Sequence, residues 1–133
     1  MNKTKTILSV LMAIALAGAK AQSDHSLIGK WQSLYEVEGE KIRVDYQFKN
    51  EREKLGCYAV LFKDDAGNEE AANTVVMSSI DFENQRGKAQ YLLQYEGETY
   101  EVEATLRLIN AQTLEVHYSY YGYADTETWK RQK

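Results

Sequence analysis

The chain has 133 residues, with 16 Lys and Arg against 20 Asp and Glu and a formal charge of −4 at neutral pH. Such a balance argues against a nucleic-acid partner or an anionic membrane face, because both demand a basic patch. A lone cysteine, Cys57, excludes an internal disulfide, and the length suits one domain.

The amino terminus carries an export pattern. Lys3 and Lys5 precede an apolar run from Ile7 to Ala17, broken only by Ser9, and Ala19-Lys20-Ala21 supplies the small-x-small motif that signal peptidase accepts. These features predict a signal peptide over 1–21, cleaved after Ala21, and a periplasmic or secreted product. The run is only 11 residues long, whereas a spanning helix needs about 20, so no membrane span is expected in the mature protein. Cleavage removes three lysines, leaving 13 basic and 20 acidic side chains and a charge of −7. Residues 22–28 read as a disordered lead and 29–133 as a single domain.

Beyond the lead, alternation with period two dominates, the mark of half-buried strands. Strands are predicted over 29–37, 41–49, 55–63, 74–83, 88–96, 99–109, 113–122 and 125–131. Ile42, Val44, Tyr46 and Phe48 share one face of the second; Ala89, Tyr91, Leu93 and Tyr95 share one face of the fifth. The sixth places Tyr100, Val102, Ala104, Leu106 and Leu108 together, and the seventh Leu114, Val116, Tyr118 and Tyr120. The third is apolar on both faces, and the fourth alternates poorly. Glu38-Gly39 and Glu96-Gly97 mark tight turns, and residues 64–72 read as a longer loop. Short connections force sequential neighbours to pair antiparallel, which predicts an up-and-down meander. Eight strands can close into a small barrel, or stay open as a β-sandwich.

The two ends of the domain carry a resemblance. Gly29-Lys30-Trp31 heads the first strand, and Thr126-Glu127-Thr128-Trp129-Lys130-Arg131 lies on the last. This layout resembles the lipocalin-like, or calycin, barrels, and is similar to small exported bacterial barrels of unknown function that end in T-x-T-W-x-R. The resemblance implies that Trp31 plugs one end of the barrel and Arg131 packs across it, with Trp129 part of the same closure.

Ten tyrosines are the notable compositional feature. Tyr46, Tyr91, Tyr95, Tyr100, Tyr118 and Tyr120 fall on inward faces and are the candidate lining of a lumen that takes a small apolar or amphipathic ligand. Tyr121 and Tyr123 are expected near a rim, where an envelope protein could dock; a filled barrel serving as such a scaffold is the alternative. His117 has outward parity, Cys57 suits burial, and two remote histidines with one thiol offer no zinc set. The acidic stretch 64–70 lacks the alternating oxygen ligands of a calcium loop. Glu101 and Glu103 lie two apart on a polar strand face, where solvent is the expected neighbour. With no nucleophile, acid–base pair or cofactor motif in a defensible spacing, no catalytic residues, metal or cofactor are expected.

Overall fold

The computed structural model describes residues 25–133; the expected signal peptide and its cleavage point after Ala21 lie outside them. A short 3-10 turn, His25–Leu27, leads into eight strands: β1 Gly29–Val37, β2 Glu40–Glu51, β3 Lys54–Asp64, β4 Glu69–Glu83, β5 Arg86–Tyr95, β6 Glu98–Asn110, β7 Thr113–Tyr120 and β8 Tyr123–Arg131. They form a closed antiparallel barrel in sequential order, with β8 returning to β1, which decides between barrel and sandwich. Among the described residues no helix is long and apolar enough to cross a membrane.

The period-two pattern sets the core. Phe48, Ala104, Leu106, Leu114 and Val116 point inward and are buried, while Glu101, Glu103 and His117 face out. Two predicted features are corrected. The loop expected at 64–72 shrinks to a turn, because Asp64 accepts the Asn68 amide at 2.9 Å and the Asn68 side chain at 3.0 Å; β4 therefore starts at Glu69 rather than 74. The expected lead of 22–28 contains an ordered turn. Its Leu27 is fully buried and accepts the Trp31 indole N–H at 3.0 Å.

Bulges explain the two strands that alternate badly. Tyr46 pairs with Ala59 and Asp45 with Leu61, so Val60 is an extra residue in β3. An extra residue reverses parity: Cys57 and Ala59 point inward below it, and Phe62 does so above. The parity shift accounts for part of the doubly apolar run, while Tyr58 and Leu61 remain on the outer face. β4 is irregular against β3 in two places and against β5 between Ser78 and Asp81, where Ser79 has φ of 50°. At the foot of this hairpin the backbones press together. A Cβ on Gly87 would lie 2.1 Å from the Asp81 carbonyl oxygen and 2.7 Å from Phe82 Cα, so only glycine fits.

The two ends of the barrel differ. At the base, Trp31 is fully enclosed and the Arg131 guanidinium lies 4.3 Å above its ring. Arg131 also donates to the carbonyls of Ala111 at 2.8 Å, Ile28 at 3.1 Å and Ser26 at 2.6 Å, tying the first turn to the last strand. At the mouth, by contrast, two seams lapse. The pairing of β1 with β8 covers only Trp31 with Arg131 and Gln32 with Lys130. That of β4 with β5 ends at Met77 with Tyr91, although both strands continue. These seams divide the ring into two groups of four strands, β1–β4 and β5–β8, paired edge to edge below and parted above.

Candidate functional site

Where the seams part, side chains take over. Trp31, Ser33 and Tyr35 share the inward face of β1; Asp125, Glu127 and Trp129 share that of β8. The carboxylate of Glu127 reaches across. Its Oε1 accepts Tyr35 Oη at 2.6 Å, Tyr91 Oη at 3.1 Å and the Trp129 indole N–H at 3.0 Å. Its Oε2 accepts Tyr118 Oη at 3.1 Å and a longer contact from Tyr91 at 3.3 Å. Tyr46 lies 2.6 Å from the Tyr35 hydroxyl. Since Tyr35 spends its one proton on Glu127, Tyr46 is the donor in that pair, and a chain of protons runs from Tyr46 through Tyr35 to the carboxylate. A carboxylate offers about four lone-pair sites, so these donors fill its acceptor capacity.

Burial maintains the donors. It raises the pKa of Tyr35, Tyr46, Tyr91 and Tyr118, and the charge of Glu127 pushes in the same direction, so all four remain protonated phenols. Their rings pack as a column. Tyr46 stacks face to face on Trp129 at 3.9 Å with planes 1° apart, and Tyr91 meets Tyr118 edge-on at 5.3 Å. Phe48, 6.0 Å from Trp129, continues the packing toward the base. The lower lumen is therefore solid.

Above this floor lies a cup of about 480 Å³. Tyr35, Tyr46, Tyr91 and Glu127 form its polar end, and Ala59, Val76, Leu93 and Phe62 its apolar walls. Val75, Leu92, Gln94 and Thr99 also border it. These face outward, so the cup continues sideways through the slot between β4 and β5. Ala59, at a position where its neighbours are large, leaves the room.

The predicted site residues separate accordingly. Tyr46 and Tyr91 line the cup, and Tyr118 joins them through Glu127. Tyr100 and Tyr120 do not border the cup; their rings pack against each other at 5.2 Å on the rim, and the Tyr100 hydroxyl turns to Glu98 at 2.9 Å. Both are close to hairpin turns, on the neighbouring strands β6 and β7. The Tyr95 side chain lies outside what is described. Trp31 and Arg131 meet at the base, whereas Trp129 lies mid-barrel, stacked against the cup-lining Tyr46, rather than in the plug. Tyr121 is 92% exposed and Tyr123 also lies open to solvent. His117 is on the outside, 2.8 Å from Thr126 Oγ1, and Cys57 is buried, which raises its thiol pKa. Among the described residues no three His, Cys, Asp or Glu side chains form a metal-binding group.

Sequence reading missed Glu127 and Tyr35. Parity was the available signal, since each stands on the same strand face as an end-motif tryptophan: Glu127 two residues from Trp129, Tyr35 four from Trp31. No family model, curated protein or solved structure matches the chain.

Proposed function

We propose that the protein is an exported, lipocalin-like, non-enzymatic barrel that binds a small amphipathic molecule in the cup at its mouth. The observation that carries this reading is the cup itself: a concavity of about 480 Å³ with apolar walls and convergent hydroxyls at one end. Small-ligand sites have this size and this mixture of lining. A barrel filled to its rim would have no such space, and here the packing stops at the Tyr46–Trp129 stack. Export is supported by the pattern over 1–21, and amino-terminal sequencing of the protein from a periplasmic fraction tests it; a mature start at Gln22 is expected.

Binding is tested by titrating the neutral fluorophore N-phenyl-1-naphthylamine into purified mature protein. Saturable enhancement at one site per chain is the expected result. Ala59→Trp, which places an indole in the cup, should abolish it while circular dichroism stays unchanged. No saturation, or saturation indifferent to Ala59→Trp, refutes the reading. The exposed Tyr121 and Tyr123 favour a second reading, an envelope protein docking at the β7–β8 turn. Pull-down with a Tyr121→Ser/Tyr123→Ser control separates the two.

A further inference from the structure

We infer that the cup selects a quaternary ammonium head group, a cation that donates no hydrogen bonds, carried on a short apolar tail. The inference rests on the reading of the cup as a ligand site and names the ligand class for it.

Charge is the first argument. Glu127 is half-buried at the polar end of the cup, and all its hydrogen-bond partners are neutral phenols and an indole. None of the ion pairs among the described residues involves it. The carboxylate is satisfied as an acceptor but not neutralised as a charge. Asp125, 3.4 Å from the Tyr118 hydroxyl, adds a second negative group on the same face of β8.

The second argument is the fullness of Glu127. A primary ammonium gains most of its binding from donated hydrogen bonds, and here it would have to displace Tyr35, Tyr91, Tyr118 or Trp129 to make them. A trimethylammonium has nothing to donate. It needs only proximity to negative charge and aromatic surface, which Tyr35, Tyr46 and Tyr91 provide around the cup.

The third is the field of the whole barrel. Four hairpins ring the mouth; those at 36–41, 63–70 and 96–98 together hold nine carboxylates against two lysines, and the fourth, at 120–123, carries no charge. At the base, Lys30 and the segments 49–54, 83–88, 107–115 and 130–133 hold ten basic residues against four acidic. A potential polarised this way draws cations to the mouth and repels anions from it. Apolar walls at Ala59, Val76, Leu93 and Phe62 then accommodate the tail.

The test is a calorimetric series on the unaltered mature protein with four probes of equal tail length: hexyltrimethylammonium, hexylammonium, 1-hexanol and hexanoate. Hexyltrimethylammonium should bind about tenfold tighter than hexanol, exceed hexylammonium, weaken with added salt, and leave hexanoate undetected. Glu127→Gln should bring its affinity down to that of hexanol. If that variant fails to fold, the probe series alone decides. Equal binding of all four, hexylammonium outranking its trimethyl analogue, or silence toward all four while the neutral fluorophore still binds, overturns the head-group inference and leaves the cup standing. Loss of fluorophore binding as well removes both.

Discussion

Replacing Arg131 by methionine measures how firmly the base is held. The guanidinium lies over an enclosed Trp31 ring and bonds three carbonyls on two separate segments. A cation over a desolvated indole contributes roughly 1–2 kcal/mol. The bonds to Ala111 and Ser26 are exposed, so water replaces much of each, and they add about 0.5 kcal/mol apiece; the half-buried bond to Ile28 adds about 1 kcal/mol. Methionine keeps most of the apolar stem over the indole, which limits the packing loss. The total is about 3–4 kcal/mol, a fall in Tm of roughly 12–20 °C for a domain of this size. Urea unfolding followed by tryptophan fluorescence, with calorimetry alongside, reads both numbers. Arg131→Lys separates charge from shape: a compact ammonium cannot span three carbonyls and lie flat on a ring, so it should restore only part of the loss. A methionine variant within about 0.5 kcal/mol of the parent, or a lysine variant equal to it, would refute the account of the base.

Two further outcomes follow from the packing. Burial raises the pKa of Tyr35, Tyr46, Tyr91 and Tyr118 above the ordinary 10.0, so the stability they contribute is complete below pH 10 and declines as pH climbs toward their folded values. Unfolding free energy should fall with pH in that alkaline range, and Tyr35→Phe should flatten the slope; an unchanged slope counts against the cluster. Gly87→Ala forces a Cβ onto the Asp81 carbonyl and should cost about 3 kcal/mol or more in urea unfolding, through backbone displacement at the β4–β5 foot. A near-neutral alanine would mean that the two strands are further apart there.

Period two was enough to find eight strands, because hydrophobic burial on one face imposes it wherever pairing is regular. It failed where regularity does. Val60 shifts the parity of β3, and β4 breaks register three times, so both strands blur. The order in the lead was hidden for another reason: Leu27 is buried by Trp31 and held by Arg131 contacts, and partners a hundred residues away leave no local trace. Glu127 was concealed by expectation. An acid on an inward face is normally excluded, and only the convergence of Tyr35, Tyr91, Tyr118 and Trp129, from four different strands, makes it tolerable there. The same convergence is what distinguishes the tyrosines that matter to the cup from Tyr100 and Tyr120, whose parity is identical.

The two lapsed seams stand opposite one another, after the fourth strand and after the eighth. A ring slit twice at one rim and continuous at the other behaves like a clothes-peg, able to gape at the jaws while the hinge stays shut. Thermal opening should then start at the jaws, and amide hydrogens of residues 70–76 and 92–94 should exchange long before those of Phe48 or Leu106. Whatever enters the jaws and bridges Tyr35 to Tyr91 would clamp the slits, slowing that exchange from the rim downward.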